Sequence, residues 1–187
     1  VQLLRRVPRL SPAWFGIDDE ECLRAGTAHL IAHGHRRIAY IGGTGDYSTG
    51  AARLAGFRRA FEEAGLDPAL GSEHLGPPAD PRFGAAATAA VFAETEPPSA
   101  IITGAVQLTG AVLQAIARRE GRGPAIVGFG DEPAFSWWQG ELTAIAMPIQ
   151  ELAQACGGFL IERLRTGAAI EAHASIASAR LVEYRRG

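Results

Sequence analysis

Residues 34–57, GHRRIAYIGGTGDYSTGAARLAGF, decide the fold. Gly34 can take the left-handed conformation that closes a helix, so a helix ends there. Ile38, Ala39, Tyr40 and Ile41 form a short apolar run of the kind a parallel sheet buries on both faces. Gly42 and Gly43 end that strand, and the next helix carries Leu54, Phe57 and Phe61 at helical spacing. Open α/β sheets take ligands just past the carboxyl ends of their strands. The segment from Thr44 to Arg53 is therefore the first place to look for a ligand.

Outward from this unit the same alternation continues. Val1 to Leu4 and Trp14 to Ile17 read as strands, and Asp18 and Asp19 supply an N-cap and a negative first turn to the helix that ends at Gly34. In the other direction the helix through Phe57 runs to about Ala64, closed by Gly65, and a short strand falls near His74 and Leu75. Pro81 opens a helix that runs to Glu94. Strands follow at 100–103, 125–129 and 142–145, with a helix from Leu108 to Arg118 between the first two. A long helix from Pro148 to Gly167 and a last strand, Arg180 to Tyr184, complete the chain. Strands alternating with helices of this length predict an α/β fold, a parallel sheet flanked by helices on both faces.

Composition narrows the function. Net charge over the 187 residues is −2, which gives no basic footprint for phosphates, so this stretch alone is not expected to grip nucleic acid. No run approaches the roughly 18 apolar residues of a membrane span, and VQLLRRVPRL at the start lacks a signal-peptide layout. Cys22 and Cys156 both fall on apolar helix faces and read as reduced core thiols of a cytoplasmic protein.

Several motifs invite chemistry and do not complete it. His29 and His33 are one helical turn apart, with His35 beyond Gly34, but no Asp, Glu or Cys stands at a sequence spacing that completes a metal set. The three are read as helix-end histidines, and no metal or cofactor is expected. Gly43 and Gly45 begin a G-x-G, but the third glycine of a dinucleotide fingerprint falls on Ser48, and a chain without lysine has no P-loop. No G-x-S-x-G marks a nucleophile, so no enzyme is expected. Arg53 is more informative: near the ligand end of the sheet, a guanidinium can fork onto hydroxyls or a carboxylate, with Tyr47 and Thr49 close by. Trp137 and Trp138, in the loop between two strands, are expected at the ligand edge or at a hinge, packed beneath the loop or stacking on a ring.

Taken in order, IDDEECLRAGTAHLIAHGHRRIAYIGG at 17–43, ARLAGFRRAFEEAGL at 52–66, PSAIITGAVQLTGAVLQAI at 98–116, AIVGFGDEP at 125–133, LTAIAMPIQELAQACGGFLIERLRTG at 142–167 and RLVEYRRG at 180–187 resemble the effector-binding core of the LacI/GalR family of bacterial transcription regulators. The resemblance implies a type I periplasmic-binding-protein-like core of two lobes. It assigns 18–145 and the final strand at 177–187 to the C-terminal lobe, with 1–17 and the crossover helix and loop at 146–176 left from an incomplete N-terminal lobe. It further implies a homodimer with a small-molecule effector between the lobes, and operator DNA bound only by an N-terminal helix-turn-helix absent from this stretch. Arg53 matches the family's effector-contacting arginine and Thr49 a neighbouring contact, while Tyr47, Ala105, Gly130 and Ile149 stand at pocket positions.

The chain departs from the family pattern where Asn-Asp is usual, at Ala105-Val106, and where Phe-Asp-Asp is usual, at Phe129-Gly130-Asp131. Two polar contacts worth on the order of 1–3 kcal/mol each would weaken a sugar by roughly 10² to 10⁴-fold. The expected effector is sugar-like or a less polar metabolite. The alternative is a periplasmic-type solute-binding receptor, because the fold alone does not separate the two.

Overall fold

The computed structural model describes residues 1–7, 10, 13–119, 121, 123–130, 135 and 137–184. Its larger sheet has six strands: β3 (Ile38–Gly43), β4 (Gly71–Gly76), β5 (Ala100–Thr103), β6 (Ala125–Phe129), β7 (Leu142–Ala146) and β9 (Arg180–Tyr184). Their order is β4-β3-β5-β6-β7-β9, all parallel except β9, which runs antiparallel to β7. A smaller parallel sheet joins β1 (Gln2–Leu3), β2 (Ala13–Ile17) and β8 (His173–Ala177) in the order β1-β2-β8.

Helices cover both faces of the larger sheet, as the alternation requires. On one face lie α1 (Asp19–Ala32) and α2 (Ser48–Glu63), which bury Leu23, Leu30, Phe57 and Phe61 against Ile38, Tyr40 and Ile102. On the other lie α3 (Pro81–Phe92) and α4 (Val106–Ala117), whose Val91, Leu108 and Val112 meet Ile41 and Ile101. The last helix, α5 (Ile149–Thr166), packs Leu152 and Phe159 toward Phe15 of the smaller sheet. It leaves Ile161 and Leu164 exposed.

The helix ends follow the sequence signals. Asp18 Oδ1 accepts from Glu21 N–H at 2.9 Å, capping α1. Gly34, Gly65 and Gly167 all take positive φ immediately beyond α1, α2 and α5. Two strands depart from the sequence reading. β4 spans six residues of mixed polarity and is defined by its pairing with β3 rather than by an apolar run. β8, HASIA, pairs among the described residues with β2 alone and shows no apolar pattern in the sequence, because four of its five residues lie outside the core. Cys22 is buried as expected, whereas Cys156 is half-buried against the core, and both are free thiols.

Candidate functional site at the carboxyl end of the larger sheet

The chain leaves β3 through α2 to β4 on one side and returns through α3 to β5 on the other. Strand order therefore reverses between β3 and β5, and a crevice opens beyond their carboxyl ends, where α/β sheets take ligands. Thr44 to Tyr47 form one lip and Gly104 and Ala105 the other. Gly50 lets the first lip lie directly on α2, since a Cβ there would stand 2.1 Å from the Thr44 carbonyl oxygen.

Arg53, in the second turn of α2, points into this junction. Its Nε donates to Asp19 Oδ1 at 2.7 Å, a terminal nitrogen lies 2.6 Å from the same oxygen, and the other terminal nitrogen donates to the Gly104 carbonyl at 2.6 Å. The guanidinium carbon sits 3.8 Å from the centre of the Phe129 ring, a cation–π contact. These bonds use three of the five guanidinium hydrogens. Asp19 is the first residue of α1, which enters from β2 of the smaller sheet and packs on the larger one, so the arginine ties α2 to the start of α1 and to the end of β5. Burial raises the Asp19 carboxyl above its ordinary value, and the opposing pull of Arg53 does not cancel it. The sequence showed Asp19 only as part of a negative first turn; its pairing across 34 residues carries no local signal.

Tyr40 forms the floor. Its ring folds along β3 toward the crevice, close enough that a Cβ on Gly42 would lie 2.0 Å from it and one on Gly104 2.5 Å from its hydroxyl. That hydroxyl is buried with no hydrogen-bond partner among the described residues. Burial pushes the phenol well above its usual range, against the lowering effect of Arg53. In the sequence Tyr40 was one residue of an apolar strand, indistinguishable from its neighbours.

A buried threonine pair sets the second lip. Thr103 Oγ1 and Thr109 Oγ1 lie 2.7 Å apart, and both accept from the Phe129 amide, at 3.1 and 2.9 Å. Thr109 Oγ1 also stands 3.1 Å from the Ala105 and Phe129 carbonyls. The end of β5, the start of α4 and the end of β6 are thereby fixed to one another. Gly130 follows with φ +91°, and a Cβ on it would lie 2.5 Å from Val106 Cγ2. Val106 thus occupies the space into which a side chain at 130 would grow. The two departures from the family pattern, at 106 and at 130, are one matched packing change that makes this wall apolar.

The remaining sequence candidates lie around the same end. Ala105 is buried just before α4. Thr49 is half-buried in the first turn of α2, and Tyr47, 45% exposed, carries the Arg5 guanidinium 4.5 Å above its ring. Arg6 N–H donates to Ser48 Oγ at 3.1 Å, so the segment after β1 rests on this lip. Ile149, 51% exposed, starts α5 beyond the carboxyl end of β7. Asp131 falls outside the described residues. Trp137 and Trp138 are not at the ligand edge: they line a hollow of about 920 Å³ with Ser99, Pro124 and Glu141, at the amino ends of β5, β6 and β7. Because β7 runs parallel to β6, the chain must be back at the amino end of the sheet before β7 begins, and both rings lie there.

A family model for the periplasmic binding protein-like domain matches residues 27–185. The chain belongs to that family. Within it, the resemblance to LacI/GalR-type regulators read from the sequence is borne out. The chain is 34% identical over 143 residues to the ribose operon repressor of Escherichia coli (strain K12), covering 74% of this chain and 42% of that protein. It is 27% identical over 179 residues to the HTH-type transcriptional repressor PurR of Klebsiella pneumoniae (strain 342), covering 84% of this chain and 50% of the repressor. A solved LacI transcriptional regulator from a Rhodococcus species superimposes with a TM-score of 0.81 at 26% identity, over 97% of this chain and 67% of that one. The chain spans about half the length of the curated relatives it matches. Among the described residues no helix is long and apolar enough to cross a membrane.

Proposed function

We propose that this chain is the effector-sensing and dimerisation portion of a LacI/GalR-type transcriptional regulator and not an enzyme. A small molecule enters the crevice between the larger sheet and the smaller one, and operator binding is carried out by a helix-turn-helix of the kind the PurR relative's name records. Residues 18–145 and 177–187 form one lobe; 1–17 and 146–176 belong to the other, which agrees with the division of strands between the two sheets. The working location is the cytoplasm, and the partner in assembly is a second copy.

The observation that carries this reading is the bridge from Arg53 to Asp19 and Gly104. A guanidinium held at the topological switch point, fixed to the first residue of the helix that enters from the smaller sheet, is pre-organised to meet what sits in the crevice next to the crossover between the sheets. Two of its hydrogens remain for a polar or anionic group, with the Tyr40 hydroxyl beneath and Thr49 and Tyr47 at the rim. The apolar wall of Val106 and Gly130 favours a ligand that places a less polar edge there, with Ala105 and Ile149 completing the boundary. Asp19, the buried carboxylate beside Arg53, is held by that arginine and is not free for acid–base chemistry.

A thermal-shift screen against sugars and less polar metabolites tests the proposal. A ligand that raises the melting temperature of the wild type should give no shift with Arg53→Ala, and an undiminished shift would remove Arg53 from the site.

A further inference from the structure

We propose that His29, His33 and Glu183 bind a divalent transition-metal ion of the zinc class at the amino end of the larger sheet. One ligand atom from each of the three lies within 4.8 Å of those of the other two. The two histidines alone would be an ordinary helix-end pair, one turn apart with ring centroids separated by 4.2 Å. The carboxylate comes from β9, some 150 residues later, and the backbone puts it there. Glu183 stands directly opposite Thr143 in the β7–β9 ladder, so both side chains share one face of the sheet. Thr143 Oγ1 is 3.3 Å from His29 Nε2, which identifies that face as the one α1 covers.

The surroundings suit a cation. His33 Nδ1 donates to the His29 carbonyl at 2.8 Å; a carbonyl can only accept, so the proton is on Nδ1 and Nε2 keeps its lone pair. Thr143 steadies the His29 ring from the β7 side. The site lies at the carboxyl end of α1, where the helix dipole favours positive charge. The three residues share a recess of about 240 Å³ with Glu141 and Tyr184. Two imidazoles and a carboxylate are a zinc-type donor set with a fourth position open to water. Bonds of about 2.0–2.2 Å bring tetrahedral ligands to roughly 3.4 Å from one another, a closure these half-buried and exposed side chains reach by rotation.

The sequence could not supply this set, because Glu183 has no spacing relation to the histidines. The site stands apart from the crevice and does not rest on the reading of it. Both α1 and β9 leave the smaller sheet, after β2 and β8 respectively, so an ion joining them clamps the far ends of two crossovers.

Titration of the metal-free chain with zinc chloride in a calorimeter, at about pH 7.5 where imidazole is neutral, tests this. One ion per chain is expected. Glu183→Gln and His33→Gln should each weaken binding on the order of tenfold or more, and His35→Gln should leave it unchanged. Melting curves without zinc confirm that each variant folds, and the rise in melting temperature given by zinc should appear in the wild type and vanish in Glu183→Gln. Zinc binding of equal strength in wild type and Glu183→Gln would reduce the site to two helix histidines and overturn the proposal, as would absence of binding to the wild type.

Discussion

The two ends of the larger sheet are built on opposite plans. At the carboxyl end the polar groups are internal: the Arg53 and Asp19 side chains are 13% and 8% exposed, and Thr103 and Thr109 are wholly buried. At the amino end His33 and Glu183 face solvent at a recess of about 240 Å³, and Trp137 faces solvent at a separate hollow of about 920 Å³. A hollow of that volume could hold a ligand by size. Topology and pre-organisation select the carboxyl end, because the strand order reverses there and a buried charged side chain, Arg53, is fixed there by partners from separate elements. A sensor needs groups that cannot relax independently of the ligand, and the carboxyl end supplies them.

The sharpest way to break this contrast is to remove one half of the buried ion pair. Asp19→Ala leaves the Arg53 guanidinium buried without its counter-charge and should cost about 3–5 kcal/mol in chemical denaturation. The double variant Asp19→Leu with Arg53→Met should recover most of that, since burying the pair is itself expensive. The pH dependence carries the same point. The folded-state pKa of Asp19 is raised, so the folded chain holds that proton more tightly than the unfolded one. Its contribution to stability is therefore favourable at low pH and is lost as pH rises from about 3.8 through the raised value. The advantage of wild type over Asp19→Asn should shrink as pH climbs through that window; growth instead would show that Arg53 outweighs desolvation.

A smaller loss is expected where the two helices on this face meet. A Cβ on Gly56 would stand 2.0 Å from the Glu20 carbonyl oxygen of α1, a backbone atom that cannot swing aside. Gly56→Ala should cost about 1–3 kcal/mol and, by parting α1 from α2, loosen the Arg53–Asp19 bridge that spans them. The surface ion pairs across the same seam, Arg24 to Glu63 and Arg59 to Glu20, are exposed and will not compensate. Effector affinity should fall together with stability; a stable variant with full affinity would mean the bridge does not depend on this contact. The Arg-x-x-Gly-Phe element thus has a physical meaning: Arg53 reaches the crevice, Gly56 permits the helix contact, and Phe57 stacks on Tyr40 at 5.4 Å.

What could be read in the sequence was whatever depends on neighbours along the chain. The strands around Ile38, Ile101, Val127 and Ile145 were legible as apolar runs, and the helix ends as Asp18 or as glycines with positive φ. The position of Arg53 at the strand tips followed from the same local pattern. Groups paired across the fold were not legible. Asp19 looked like a second cap, Tyr40 like core, and Glu183 like one charge on an edge strand, until the sheet brought each to its partner. The misplacement of Trp137 and Trp138 has the same origin: loop membership is visible in sequence, but which end of the sheet a loop returns to depends on the direction of the next strand.

That misplacement yields the mildest test, one that perturbs neither end. The third tryptophan, Trp14 on β2, donates through Nε1 to the Leu4 carbonyl at 3.1 Å and carries the Arg6 guanidinium 5.9 Å above its ring. Arg6 in turn donates its amide to Ser48 at the crevice lip, so Trp14 is mechanically connected to the crevice and the other two indoles are not. Effector binding that shifts the smaller sheet against the larger should change the fluorescence of Trp14. Trp14→Phe should abolish the ligand-dependent change while costing little stability, whereas Trp137→Phe with Trp138→Phe should keep it in full. If the response instead follows Trp137 and Trp138, the ligand reports at the amino end, and the wide hollow there, not the switch point, is where it binds.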